Sequence, residues 1–274
     1  MGEVDPIVGG LSRFGETKVI FFDVFGTVVD WRSSVTDELI SRGQAKANSL
    51  GSSTQISHQR LRGLTHRDWA KFAQKWRDSY GKFTKSFVPE ESEPKDIDTH
   101  HLDSLIELLG DWEIQDAFND EEVKDLSLVW HRLVPWSDSS EGLALLNTKY
   151  ETSTLSNSNI ELLQDLKDFG NLPFQHLVSS WMFKVYKPHP SVYLGAAEKI
   201  GYQPKECALV ASHLGDLRAA KNQGFRTIYV VRPQEEAFPL DAIEEARQWV
   251  DMWVDEGEGG FEEVARRLGV AEKA

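Results

Sequence analysis

Lys18-Val19-Ile20-Phe21-Phe22-Asp23-Val24-Phe25-Gly26-Thr27 is the stretch on which the fold turns. Four apolar residues in succession, closed by a carboxylate and then by Gly26-Thr27, read as a strand that stops at a loop. A strand with no polar alternation is covered on both faces, which points to a parallel sheet flanked by helices. Ligands of such sheets bind beyond the carboxyl ends of the strands, where Asp23 falls.

Outward from this strand the sequence changes rhythm twice. From residue 34 to about 132, helix-spaced apolar positions dominate and strand runs are scarce. Trp69, Phe72, Ala73, Trp76, Tyr80 and Phe83 mark one face of a helix. Leu102, Leu105, Ile106 and Leu109 repeat the pattern, as do Val123, Leu126, Val129, Trp130 and Leu133. A polar, acidic connector runs from Pro89 to Thr99. From about residue 138, helix and strand alternate: helices at 140–149, 159–169, 191–200, 214–223 and 261–268, strands at 152–155, 176–179, 207–211, 227–231 and 250–254. Residues 1–33 and 133–274 are therefore expected to form one parallel α/β core, with residues 34–132 inserted as a helical cap and a cleft over the end of the first strand. Residues 1–16 carry Gly2, Gly9, Gly10 and Gly15 with little periodicity and read as a loose arm.

Composition narrows the function. The 274 residues are 40% hydrophobic and 27% charged, an ordinary globular balance, and no apolar run approaches the ~20 residues of a membrane span. Thirty Lys and Arg against 44 Asp and Glu give a net charge of −14. Nucleic-acid and anionic-lipid partners are disfavoured, since both need clustered basic residues. A small anion can still bind where one Arg or Lys sits in a pocket. Cys207 is the single cysteine, so no internal disulfide forms. Met1-Gly2-Glu3-Val4-Asp5-Pro6 has neither the basic nor the apolar region of a secretory signal, and the expected location is the cytoplasm.

Each strand end carries polar residues: Asp23 to Thr27 after the first, Ser156-Asn157 after the next, then Lys187-Pro188-His189-Pro190, and Ser212-His213-Leu214-Gly215-Asp216. A carboxylate, a hydroxyl, an ammonium and a second carboxylate at neighbouring strand ends make a nucleophile site. In order and in kind these motifs resemble the haloacid dehalogenase superfamily, Rossmann-like hydrolases with an Asp nucleophile, and within it the L-2-haloacid dehalogenases. The likeness extends over about residues 18–268. Phosphatases of that superfamily carry Asp-x-Asp where this chain has Asp23-Val24-Phe25. The dehalogenases carry an aromatic residue at the third place and need no metal. Asp23 and Asp216 alone make a poor Mg²⁺ site, because that ion demands near-octahedral oxygen ligation. Neither metal nor cofactor is expected.

The resemblance implies roles residue by residue. Asp23 is the nucleophile, Thr27 hydrogen-bonds its carboxylate, and Lys187 keeps it ionised with Asp216 as partner. Ser156 and Asn157 match the Leu-Ser-Asn motif, Tyr193 the Tyr of Lys-Pro-x-Pro-x-x-Tyr, and Trp76-Arg77 the Trp-Arg of the cap, whose Arg clamps the substrate carboxylate or receives the halide. Phe25, Asn157, Tyr193 and His213 are expected to line the substrate. Ala211-Ser212-His213 departs from the family's Ser-Ser-Asn, which places the hydrolytic water. The implied reaction converts a short 2-haloalkanoate to a 2-hydroxy acid with inversion. A phosphatase of the same superfamily, another hydrolase of it that uses Asp23 for other C–X or acyl chemistry, and a non-catalytic binding protein on this scaffold are the competing readings. Blander roles also exist: Arg77 paired with Asp78 or solvated, Tyr193 as core packing, His213 as a structural histidine. A homodimer is the default assembly.

Overall fold

The computed structural model describes residues 13–49, 56–88, 91 and 95–270. Residues 1–12 of the arm read at 1–16, and residues 89, 90 and 92–94 of the connector read at 89–99, lie outside the described residues. The chain divides into two compact units, one formed up to Asp30 and from Pro135 onward, the other from Trp31 to Val134.

The first unit is built on a five-stranded parallel sheet: β1 (Val19–Phe22), β2 (Glu151–Thr154), β3 (Cys207–Ala211), β4 (Arg226–Val230) and β5 (Met252–Val254). The spatial order is β2-β1-β3-β4-β5, so β1 pairs on both sides, Val19 with Glu151 and with Cys207. All four residues of β1 are fully buried, as its unbroken apolar run requires. Its side chains alternate between faces. Val19 and Phe21 join Leu209, Tyr193 and Phe225 in one cluster, with Phe21 and Phe225 5.7 Å apart. Phe22 meets Phe174 at 5.7 Å and Phe261 at 5.1 Å.

The helices of this unit start and stop where the sequence provides caps. They are numbered after the five helices of the insertion. In α7 (Ile160–Phe169) the side chain of Asn159 accepts the Leu162 N–H. In α8 (Pro190–Ile200) the first residue is proline and Gly201 closes the helix at φ +94°. The remaining helices are α6 (Ser139–Leu146), α9 (Leu214–Asn222), α10 (Leu240–Ala246) and α11 (Gly260–Arg267). α10 has no counterpart in the sequence reading.

The strand expected at 176–179 does not form. That segment runs beside β2 and pairs only through isolated bridges, His176 with Ser153 of β2 and Ser179 with Ser156 just beyond it. The Thr154 hydroxyl intervenes, donating to the Val178 carbonyl at 3.1 Å and accepting the Val178 N–H at 2.9 Å. A side chain thus takes the Val178 N–H, while the Val178 carbonyl still accepts the Ser156 N–H at 3.4 Å, and the pairing stays broken into single bridges.

The second unit is helical: α1 (Trp31–Ser49), α2 (Ile56–Gly63), α3 (His66–Ser86), α4 (Ile97–Asp111) and α5 (Asp120–Ser127). Capping boxes at Thr65/Asp68 and Asn119/Glu122 open α3 and α5. Trp69, Phe72, Ala73 and Trp76 are buried on α3 as the spacing predicts. Trp130 stacks on His101 at 4.7 Å and meets Trp76 edge-on at 5.4 Å. Ile106, expected on the inner face of α4, is 54% exposed. The buried stripe is instead His101, Ser104, Leu105, Leu108 and Leu109, because the Trp76 indole N–H bonds the His101 carbonyl and the Ser104 hydroxyl and turns that face inward.

Candidate active site

Asp23 leaves β1 with its backbone still in register, its N–H bonded to the Val210 carbonyl at 3.0 Å. The chain then folds back on itself: Val28 donates to the Val24 carbonyl and Gly26 to the Val29 carbonyl. Gly26 sits at φ +83°, a conformation that L side chains rarely adopt, and a Cβ there would lie 2.0 Å from Glu235 Oε2. The tight turn brings Thr27 back onto the carboxylate. Its hydroxyl donates to Asp23 Oδ2 at 2.9 Å and accepts the Ser212 N–H at 2.9 Å. Thr27 therefore ties the end of β1 to the end of β3.

Lys187 Nζ lies 2.8 Å from Asp23 Oδ1 and 2.5 Å from Asp216 Oδ2. The backbone that presents it is clamped by Asn157: the Lys187 N–H donates to Asn157 Oδ1 at 2.6 Å and Asn157 Nδ2 donates to the Lys187 carbonyl at 3.2 Å. Asp216, in the first turn of α9, also accepts the Tyr193 hydroxyl at 2.6 Å. Tyr193 is fully buried. His213 places Nδ1 2.8 Å from Asp23 Oδ2 and Nε2 3.4 Å from Glu235 Oε2.

Charge separates the two carboxylates that share Lys187. Burial pushes the Asp23 carboxyl up, but the Lys187 charge and the hydrogen bond and charge of His213 outweigh it and hold Asp23 well below the usual range. Burial dominates at Asp216 and raises it, with the Asp23 charge adding to the rise and Lys187 opposing it. Two titratable groups driven apart in this way mark different roles, with Asp23 the permanently ionised one. Burial lowers His213, yet its hydrogen bonds to Asp23 and Glu235 carry it up to about 9, so it is an imidazolium at neutral pH.

The structure thus brings Asp23, Thr27, Lys187, Asp216, Tyr193 and His213 into one hydrogen-bonded network, with Asn157 behind Lys187. Ser156 is buried just beyond β2 and accepts the Ser158 hydroxyl at 3.2 Å. Phe25 is 8% exposed within the Asp23 turn. Arg77 is half-buried on α3 of the helical unit, its guanidinium 5.7 Å from the Trp31 ring and 4.9 Å from Tyr80. Among the described residues no cluster of three or more His, Cys, Asp or Glu has the arrangement of a metal site.

Two supports escape the sequence reading. Arg232, 8% exposed, bonds the Thr27 carbonyl at 3.1 Å and grips Asp138 bidentately at 2.6 and 2.7 Å. Glu235, with a 5% exposed side chain, faces His213. Both follow β4, and extending the strand-end reading to that strand would have drawn attention to Arg232-Pro233-Gln234-Glu235-Glu236.

Comparison with known proteins decides the family. A family model of haloacid dehalogenase-like hydrolases matches residues 17–224. The chain belongs to that family. Within the family it is similar to (S)-2-haloacid dehalogenase 1 of Pseudomonas sp. (strain CBS-3), 28% identical over 229 residues that span 81% of this chain and 88% of the relative. The crystal structure of an L-2-haloacid dehalogenase, 30% identical, aligns with a TM-score of 0.76 over 93% of this chain and 100% of that one. A defluorinating L-2-haloacid dehalogenase, 27% identical, aligns equally well over 92% and 95%.

Proposed function

We propose that the protein is a hydrolytic dehalogenase that converts a short 2-haloalkanoate to the 2-hydroxy acid with inversion. The observation that carries this reading is Asp23, a buried carboxylate kept ionised by Lys187 at 2.8 Å, followed two residues later by Phe25 instead of a second carboxylate. A phosphatase needs that second carboxylate to protonate its leaving oxygen. Relatives from across the family that are named haloacid dehalogenases support the same reading.

Asp23 attacks C2 from the side opposite the halogen, forming an aspartyl ester as halide departs. Arg77 offers the cation for the substrate carboxylate or the leaving halide. Phe25 excludes water from the nucleophile. Water then attacks the Asp23 carbonyl carbon and releases the hydroxy acid. Asp216 is already engaged by Lys187 and Tyr193, which leaves His213 as the base. His213 is protonated while Asp23 is an anion. Esterification cancels that charge, lowers the imidazole's proton affinity and prepares it to accept a proton from water. Tyr193 and Asn157 hold Asp216 and Lys187 in place. The partner is a small anionic substrate, and the cytoplasm and a homodimer remain the proposed setting. No described helix is long and apolar enough to cross a membrane.

Halide release measured over a panel of 2-haloalkanoates of both configurations tests the proposal. Release from the (S)-acids, absent in Asp23→Asn, is expected. Turnover of phosphomonoesters without any halide release would overturn it.

A further inference from the structure

We propose that Glu235 is a positioning residue for the second half-reaction: it holds the Nε2 proton of His213 and so leaves Nδ1 to take the proton of the attacking water once Asp23 is esterified. The inference rests on the reading of His213 as the base of ester hydrolysis.

The geometry is that of a line of three groups. Asp23 Oδ2 and Glu235 Oε2 lie 2.8 and 3.4 Å from opposite nitrogens of the same ring. The Glu235 side chain is 5% exposed and sits against Gly26, where a Cβ would come within 2.0 Å of its carboxyl oxygen. A buried carboxylate is costly unless it is paired, and His213 is the cation it faces. Its neighbour Glu236 is committed elsewhere, accepting the Leu214 N–H at the start of α9 at 2.8 Å. The loop after β4 therefore supplies one carboxylate to the helix end and one to the imidazole. A base needs a fixed tautomer: the nitrogen facing the substrate must be free of its proton, so the other nitrogen must carry one. Nδ1 faces the Asp23 carboxyl, where the ester will form, and Nε2 faces Glu235.

The protons balance through the cycle. In the resting enzyme Asp23 and Glu235 are anions, with His213 an imidazolium between them. The Lys187 ammonium and Asp216 lie on the far side of Asp23. Attack on C2 forms the Asp23 Oδ–C2 bond, breaks the carbon–halogen bond and expels halide. With Asp23 now neutral, His213 loses its Nδ1 proton to solvent. Water adds to the Asp23 carbonyl carbon and passes one proton to Nδ1. The tetrahedral centre collapses with cleavage of the bond between the carbonyl carbon and the substrate oxygen, and that oxygen takes the proton from Nδ1. The carboxylic acid that remains returns its proton to Nδ1, restoring the starting pair. One proton and one halide are released per turnover, as hydrolysis requires.

Glu235→Gln keeps the shape and removes the charge, and two measurements on the full chain test it. In the first, enzyme in excess of (S)-2-chloropropionate is quenched during a single turnover, with halide and intact mass followed together. The halide burst is expected within threefold of wild type, while ester breakdown slows about tenfold or more and the mass of the acyl-enzyme accumulates. Glu235→Asp should restore part of the rate. In a His213→Asn background the Glu235 change should add less than twofold, because its effect passes through the ring. In the second, ¹⁵N NMR of the imidazole is followed against pH without substrate. The His213 titration should move to lower pH in Glu235→Gln, with the Nε2-protonated tautomer less populated above it. Equal slowing of burst and breakdown, undiminished in the His213→Asn background, would overturn the inference, as would an unmoved titration. Wild-type enzyme without any halide burst is a separate outcome that refutes the dehalogenase reading, and the NMR titration then still decides whether Glu235 sets the state of His213.

Discussion

Lys187→Met tests the electrostatic heart of the site. The ammonium touches two carboxylates at 2.8 and 2.5 Å, and the three side chains are 9 to 12% exposed. Removing it leaves two buried anions facing each other, a loss of about 3–5 kcal/mol by the general behaviour of broken buried pairs. His213 stays on Asp23, so Asp216, already raised by burial, is the group that takes up a proton. The sign of the pH effect follows. In wild type, Asp23 is depressed, and its contribution is fully present above the ordinary carboxylate value of about 4 and is lost as pH falls through its lower folded value. Wild-type stability from this group is thus flat between pH 5 and 7. In the variant the raised carboxyl binds a proton that the unfolded chain does not, so stability rises as pH falls, by up to about 1.4 kcal/mol per unit, or about 2.7 kcal/mol from pH 7 to pH 5. Urea unfolding of both proteins at the two pH values reads this directly, alongside halide release, which should fall at least about 100-fold. A variant within about 1 kcal/mol of wild type at both pH values, with the same pH dependence, would refute the reasoning.

Further outcomes follow from other parts of the molecule. Arg77→Lys loses the planar fork, and kcat/KM for a haloacid should fall about 100-fold, equivalent to ~2.7 kcal/mol; an unchanged value would assign the anion to another cation. Halide release should be unaffected by prolonged dialysis against EDTA, whereas loss restored by Mg²⁺ would return the site to phosphatase chemistry. In the helical unit, burial lowers His100 to about 4 and His101 well below its ordinary value. Both stay neutral in the fold while the unfolded chain protonates near pH 6.5, so this unit should lose stability as pH falls from about 6.5 towards 4. Near-ultraviolet circular dichroism of the Trp31, Trp76 and Trp130 cluster follows that loss, and His101→Phe should flatten it.

The elements most legible in the sequence were those whose cause is local. The run Val19 to Phe22 read as a two-face-buried strand and is one, and the helix expected from residue 159 starts where the Asn159 side chain caps Ile160–Phe169. The residues around Asp23 were legible because every sheet strand end in a parallel fold faces the same way. The segment at 176–179 misled because its β-branched and apolar residues suit a strand, while the decisive contact comes from the Thr154 hydroxyl 24 residues earlier. Ile106 misled for a related reason: helical spacing defines a stripe but not which of two adjacent stripes meets Trp76. Arg232 and Asp138 lie 94 positions apart, and nothing in either neighbourhood announces the other. Glu235 stands in the same class. Its meaning comes from His213 and Gly26, both brought near it because β3 pairs with β1 on one side and β4 on the other.

The central claim is that Asp23 attacks carbon and is itself acylated by the substrate. A single turnover in ¹⁸O-water with enzyme in excess separates this from a general-base route that yields the same hydroxy acid. In the covalent route the oxygen joined to C2 comes from Asp23, so the product should be unlabelled and the isotope should appear in the peptide containing Asp23. Labelled product with an unlabelled Asp23 peptide would contradict the account, even if Asp23→Asn were inactive.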